Sequence, residues 1–328
     1  MKRIYFLTLM VFMVTTACGS EARVIPTITS TPTLTLDQMI PTPRYRNTID
    51  TPTNTPAPTA TDASVLLITS TPQILETART MTETLAPSTG SDEWMELPVI
   101  PSINPSISEI YNTGQALGNN PSAFSILGDC QSRPAEFFGI YETDPTVYNS
   151  LSPDLQQTVT NFTGSFNRES STSQDGTTPG GLLWTEWHRG EYGCTAAETP
   201  VDCELRTHRP SFVIIQIGTH FESRNTEYLR TIITQLLDAG VVPILATKAD
   251  NRELDNRINR DMALLATEFD LPLWNFWAAL SGLPDRGLYV MEGREEQGAV
   301  YLNTEASELH RMTGLIMLDA VWRAATGN

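Results

Sequence analysis

Residues 212–218 have the sequence Phe-Val-Ile-Ile-Gln-Ile-Gly, an almost unbroken run of apolar, mostly β-branched side chains that stops at a glycine. Such a run is typical of a strand that is buried on both faces of a parallel sheet. An amphipathic segment follows, in which apolar side chains between residues 229 and 237 repeat at helical spacing, and a second apolar run occupies residues 241–246. The order strand, helix, strand predicts a βαβ unit.

The same alternation continues on both sides of this unit. A short apolar run at residues 124–127 precedes it, and another at 271–275 follows it. Apolar residues at helical spacing predict further helices over about 258–266 and 304–325. The sequence therefore predicts an α/β domain over residues 92–328, with a central parallel sheet between two layers of helices.

Polar side chains follow three of the predicted strands directly. Because the carboxyl ends of parallel strands meet at one edge of a sheet, and ligands bind at that edge, these side chains are expected to converge. They lie at residues 128–132 (Gly-Asp-Cys-Gln-Ser), 218–220 (Gly-Thr-His) and 247–251 (Thr-Lys-Ala-Asp-Asn). This edge is the predicted functional site.

Two of these stretches, Gly128-Asp129-Cys130 and Gly218-Thr219-His220, resemble the first and third motif blocks of the SGNH (GDSL-like) hydrolases. The resemblance covers residues 106–323. It implies a three-layer α/β/α, flavodoxin-like fold with a central parallel sheet. It also implies ester cleavage without a cofactor, by a serine nucleophile after the Gly-Asp pair, a histidine base with a supporting aspartate, and an oxyanion hole.

Cys130 occupies the position of the nucleophile in that resemblance, directly after Asp129. A thiolate can attack an acyl carbon, so a catalytic cysteine is chemically reasonable. The alternatives are a buried thiol, or a disulfide to Cys194 or Cys203. With three cysteines left after Cys18 in an exported chain, every pairing is open. Cys194 and Cys203, nine residues apart in a polar loop, are the natural pair.

His220 stands where the family has an asparagine, after Gly218 and Thr219. A histidine could donate a hydrogen bond to an oxyanion, or act as the base for Cys130. The alternative is that His220 only fills the former asparagine pocket. Asp129, Cys130 and His220 are the candidate catalytic residues.

The remaining family positions depart from the pattern. Near the C-terminus, Tyr301 takes the place of the histidine and Gly298 that of the aspartate, and tyrosine is a poor base at neutral pH. Gly164 and Asn167 are the best match to the second block. They are predicted to line the oxyanion hole or the cleft, together with Gly218, Thr219 and Tyr301. Simple helical spacing predicts that His310 is a surface residue.

The first 91 residues have a different composition from the domain. Residues 1–17 have the layout of a signal peptide, and Cys18 follows as in a lipobox, although Thr15 stands where a leucine is usual. An ordinary signal peptide cleaved nearby is the alternative. Residues 18–91 repeat Thr-Pro units and are predicted to be a disordered tether. The expected location is outside the cytoplasm, at the membrane surface through a lipid on Cys18.

The net charge and the spacing of the histidines argue against two further functions, nucleic-acid binding and metal binding. The net charge of −17 argues against a nucleic-acid partner, which requires a basic patch. His188 and His208 lack metal-ligand spacing, so no metal is predicted.

Three functions remain for the domain. The first is hydrolysis of an ester or acetyl ester on a surface carbohydrate or lipid. The second is binding of a cell-surface glycan or acyl ligand without turnover. The third is a structural module displayed on the tether.

Overall fold

The computed structural model describes residues 92–327, so the predicted signal peptide, Cys18 and the tether lie outside the described residues. The central sheet contains the parallel strands β1 (Asn120–Gly128), β2 (Pro210–Gln216), β3 (Val242–Ala246) and β4 (Leu273–Trp274), in the spatial order β1-β2-β3-β4. A separate antiparallel pair follows, made of β5 (Leu288–Val290) and β6 (Ala299–Leu302).

The helices connect these strands. They are α1 (Ile107–Leu117), α2 (Ile140–Thr143), α3 (Pro145–Ser150), α4 (Pro153–Asn161), α5 (Pro179–Leu182), α6 (Pro200–Thr207), α7 (Asn225–Asp238), α8 (Arg257–Glu268), α9 (Phe276–Ala279) and α10 (Thr304–Thr326). Helices α3 to α6 each begin with a proline directly after an Asp, Ser or Thr whose side chain accepts a backbone N–H. Although α10 has 23 residues, neither it nor another helix within residues 92–327 is apolar enough to cross a bilayer.

Alternate side chains of β2 face opposite sides of the sheet, as the pleat of a strand requires. Phe212 and Ile214 pack into a core that also contains buried residues of α1 and α10. Val213 and Ile215 pack into a second core with buried residues of α7 and α8. The predicted layering of helices on both faces of a parallel sheet is confirmed, because both faces of β2 are buried, as its apolar sequence indicated.

The outer edge of β1 carries one further contact. Ser173 forms a parallel bridge with Gly128, the last residue of β1, and the carbonyl of Thr172 accepts the Gly128 N–H at 2.9 Å. If this segment is counted as the second strand in the chain, the spatial order becomes 2-1-3-4-5. That is the order of flavodoxin-like sheets, in which the site lies outside the carboxyl ends of the strands.

A disulfide joins Cys194 to Cys203 of α6. It ties the loop between α5 and α6 to the helix that follows it. Arg206 of α6 strengthens this attachment by donating a hydrogen bond to the carbonyl of Gly193 at 2.8 Å. The loop is therefore held to α6 at two adjacent residues.

Candidate functional site

The ends of β1 and β2 bring two of the predicted motifs side by side. Gly128 is the register partner of Gln216, so both strands end at the same level of the sheet. After Gly128, the Asp129 carboxylate accepts the backbone N–H of Gln131 at 3.3 Å and starts a 3-10 turn over Cys130–Ser132. This turn places Cys130, which lies outside the disulfide and is buried, at the carboxyl edge.

The turn folds back tightly over the strand ends. The Ser132 hydroxyl donates a hydrogen bond to the Gln216 carbonyl at 3.1 Å. A Cβ on Gly128 would lie 2.2 Å from the Ser132 oxygen, so only glycine allows this approach. The Gly-Asp pair therefore has a structural cause that is independent of catalysis.

A buried charged cluster joins the segments that follow β2 and β3. The Lys248 ammonium lies 2.6 Å from a carboxylate oxygen of Asp250 and 2.6 Å from one of Glu253. The Thr219 hydroxyl donates to the other oxygen of Asp250 at 2.7 Å. All four side chains are buried, and we call this group the Lys248 cluster. The cluster fixes the Thr219 segment against the end of β3.

Asp129 lies next to the Lys248 cluster, and the charges of the cluster affect its pKa. Burial, and secondly the charge of Asp250, raise the pKa of Asp129 to about 7. The Gln131 N–H and the Lys248 ammonium oppose this rise only in part. Asp129 therefore changes its charge near neutral pH.

His220 follows Thr219 and is half-buried. Burial, and secondly the charge of Arg252, lower the pKa of His220 below its ordinary value of 6.5, although Asp175 and Asp250 act in the opposite direction. The imidazole is therefore neutral at pH 7. Its Nδ1 atom is buried and has no hydrogen-bond partner among the residues that the structure describes. A neutral imidazole with an available ring nitrogen is able to accept a proton.

The β5–β6 hairpin borders the Cys130 turn on its other side. The Gln131 side chain donates a hydrogen bond to the Val300 carbonyl of β6. Gln131, Tyr289 and Tyr301 line a cavity of about 60 Å³. The Tyr301 hydroxyl donates to Gln297 at 2.6 Å. Tyr301 thus lies beside the turn, and its hydroxyl is already bonded to a neighbouring side chain.

Gly218 approaches its neighbours too closely for any side chain. Its φ is +141°, and a Cβ there would lie 2.5 Å from Ile258 and 3.2 Å from Lys248. We expect Gly218→Ala to lower the free energy of unfolding by about 2 kcal/mol or more, because the added methyl forces the Lys248 cluster to move. Urea unfolding of the variant measures this loss. Gly282→Ala is the matched control, since a Cβ at Gly282 meets nothing within 4 Å; similar losses in both variants would contradict the prediction.

The prediction that Gly164 and Asn167 line the cleft is wrong. Both are exposed, and their backbone N–H groups are bound by the carboxylate of Glu142 in α2. Between them, the hydroxyl oxygen of Ser165 accepts the backbone N–H of Phe124 at 3.3 Å, halfway along β1. Glycine content suggested the assignment, but the segment that reaches the strand end is the one that contains Ser173.

His310 is fully buried, so its predicted surface location is also wrong. Its Nε2 atom is 2.7 Å from the side-chain oxygen of Gln216, and its ring stacks on Phe137 at 4.1 Å between ring centres. Burial is the main cause that lowers its pKa to about 3. The α10 helix packs this residue toward the sheet, which spacing alone did not indicate.

Three residues near the strand ends were missed from the sequence. Ser173 donates its hydroxyl to the carbonyl of Ser132 at 2.9 Å, Asp175 lies within electrostatic reach of His220, and Glu253 completes the Lys248 cluster. No motif marks them, because each reaches the site through a loop. Within residues 92–327, no group of three or more His, Cys, Asp or Glu side chains has an arrangement that could hold a metal ion.

Comparison with known proteins finds structural neighbours only. A GDSL-like lipase from Bacteroides thetaiotaomicron is similar over 66% of this chain and 97% of its own, with 15% sequence identity and a TM-score of 0.38. A protein from Bacteroides fragilis described as an acylhydrolase is similar over 66% of this chain and 96% of its own, with 13% identity and a TM-score of 0.36. No protein-family model matches the sequence, and no curated protein matches it significantly.

Proposed function

We propose that this chain is an ester hydrolase outside the cytoplasm, held at the membrane by a lipid on Cys18, with Cys130 as its nucleophile and His220 as its base. One observation carries the catalytic part of this proposal. Cys130 and His220 follow the paired strands β1 and β2, which end at the same level, and His220 is neutral with an available Nδ1. The location rests on the signal-peptide and lipobox pattern of residues 1–18.

The chemistry follows the general scheme of a cysteine nucleophile. His220 accepts the proton of the Cys130 thiol, and the sulfur attacks the acyl carbon of the ester. The alcohol leaves with the proton from His220, and a thioester remains on Cys130. His220 then accepts a proton from water as that water attacks the thioester, which releases the carboxylic acid and restores the thiol.

A second function, binding of a glycan or acyl ligand without turnover, has one observation in its favour. Tyr301 replaces the family's histidine, and its hydroxyl is bonded to Gln297. A phenol with an ordinary pKa near 10 does not replace an imidazole as a base. If His220 does not act on Cys130, the cleft retains ligand contacts but lacks a base.

Hydrolysis of p-nitrophenyl acetate by the whole chain in detergent separates the two functions. We expect Cys130→Ala and His220→Ala each to lower kcat/KM at least 100-fold, because each removes a group that takes part in the bond-making step. His208→Gln is the matched histidine control. His208 is half-buried and contacts Phe124 in the middle of β1, away from the strand ends.

Equal background rates in the wild type and in both alanine variants would contradict the catalytic proposal. Binding without turnover would then be the function to test. A loss of activity in Cys130→Ala but not in His220→Ala would support Cys130 as the nucleophile and exclude His220 as its base.

A further inference from the structure

The loop after β3 carries an arginine that contacts the segment of the candidate base. The backbone N–H of Arg252 donates a hydrogen bond to the Asp250 carboxylate of the Lys248 cluster at 3.1 Å. Its guanidinium donates through Nη1 to the backbone carbonyl of Thr219 at 3.3 Å, and Thr219 directly precedes His220. Arg252 therefore joins the loop after β3 to the segment that carries His220.

The charge of Arg252 acts strongly on His220. After burial, it is the main cause that lowers the pKa of the imidazole. Asp175 and Asp250 act in the opposite direction, and each acts less strongly than Arg252. Because charges near solvent affect one another mainly at short range, this effect agrees with a guanidinium that lies close to the imidazole. The dominant charge beside the candidate base is therefore positive.

No carboxylate neutralises this charge within the part of the chain that the structure describes. The guanidinium of Arg252 has no acidic partner at salt-bridge distance, whereas that of Arg257, five residues later, lies 3.0 Å from Asp255. Arg252 is exposed, and one of its five N–H groups is bonded to Thr219. The other N–H groups are accessible to a ligand or to water.

The backbone that presents Arg252 is restrained. Lys248 contacts both Asp250 and Glu253, so buried ion pairs hold the loop on either side of Arg252. The Leu254 N–H also donates to the Asn251 carbonyl at 3.0 Å and closes a tight turn around the arginine. Because the backbone and one N–H of the guanidinium are already fixed, little conformational freedom is lost when a ligand binds.

From these contacts we propose that Arg252 binds a carboxylate of the substrate, so that the ester cleaved beside His220 belongs to a molecule that also carries a carboxylate group. A guanidinium can donate two parallel N–H groups to the two oxygens of a carboxylate. A phosphate would bring nearly two negative charges to a single guanidinium near Asp175, so a singly charged carboxylate fits better. This inference rests on the proposed function for the cleavage, but not for the binding.

Calorimetric titration of the whole chain carrying Cys130→Ala, in detergent, measures binding without turnover. The probes are monomethyl succinate, an ester that carries a carboxylate, and methyl butyrate, an uncharged ester of similar size. We expect Arg252→Gln to weaken the binding of monomethyl succinate about 10-fold and to change that of methyl butyrate less than about 3-fold, because only the charged probe loses a partner. Arg252→Lys should restore the affinity for monomethyl succinate to within about 3-fold, since it keeps the positive charge.

Arg209→Gln, in the same Cys130→Ala background, is the matched control. Arg209 is also exposed, and its guanidinium also donates to a backbone carbonyl at 3.3 Å, that of Leu117. It directly precedes β2, so it lies at the opposite edge of the sheet from His220. We expect this variant to bind both probes as the parent does.

The outcomes separate this inference from the proposed hydrolase activity. A loss of monomethyl succinate binding in Arg252→Gln but not in Arg209→Gln supports the carboxylate site even if the wild-type chain hydrolyses no ester. Equal affinity of the parent and Arg252→Gln for monomethyl succinate overturns it, even if the chain hydrolyses p-nitrophenyl acetate. An equal loss for both probes, or a parent that does not prefer monomethyl succinate to methyl butyrate, also overturns it.

Discussion

Lys248→Met is expected to lower the free energy of unfolding by about 3–5 kcal/mol, the loss that is typical when one partner of a buried ion pair is removed. The Lys248 side chain is 4% exposed, and it is the cation that contacts both Asp250 and Glu253. Without it, two carboxylates remain buried, and their mutual repulsion and desolvation oppose folding. Guanidinium unfolding at pH 7 measures the loss.

The matched control removes the charges together. The triple variant Lys248→Met, Asp250→Asn and Glu253→Gln keeps similar side-chain volumes and removes every charge of the Lys248 cluster, so it should recover much of the stability that the single variant loses. If Lys248→Met alone unfolds at the same denaturant concentration as the wild type, the buried ion pairs of Lys248 do not stabilise the fold as predicted.

Asp129→Asn is expected to make the protein relatively more stable as the pH rises. Asp129 has a pKa of about 7 in the fold and about 3.8 when unfolded. Between these values the folded state holds a proton that the unfolded state has lost, so wild-type stability falls as the pH rises from about 4 to about 7. Asparagine has no such proton, and its carbonyl oxygen can still accept the Gln131 N–H. The variant should therefore gain roughly 2–4 kcal/mol relative to wild type between pH 4 and pH 8.

The measurement is the difference in unfolding free energy between variant and wild type at several pH values. The difference is needed because His310 acts in the opposite direction. Its pKa is lowered to about 3, so the unfolded state binds a proton that the folded state does not, and stability falls as the pH drops from 6.5 toward 3. Because His310 is present in both proteins, its contribution to the pH dependence cancels in the difference. Asp175→Asn, at an exposed carboxylate, is the control; parallel curves for Asp129→Asn and wild type would show that Asp129 ionises normally.

The layers of the fold could be predicted from the sequence because each depends on a local pattern. The apolar run at residues 212–218 requires burial on both faces, and the helical repeat after it supplies one covering layer. Gly128 was correctly placed at the end of β1, and Gly218 lies two residues beyond the end of β2. At both positions close neighbours leave no room for a side chain.

The site was less predictable because its members meet through loops. Glu253 reaches Lys248 across a turn, and Ser173 reaches Gly128 from a segment with no regular pattern. His310 is buried because of how α10 packs beside Phe137, a tertiary contact that helical spacing does not determine. The error at Gly164 and Asn167 has the same origin, since a glycine in a loop gives no indication of which strand it lies beside.

The Lys248 cluster stabilises the carboxyl edge of the sheet without involving the candidate nucleophile. The ion pairs that hold the segments after β2 and β3 together include neither Cys130 nor Tyr301. Side chains at positions 130 and 301 can therefore change without breaking the ion pairs that hold these two segments together.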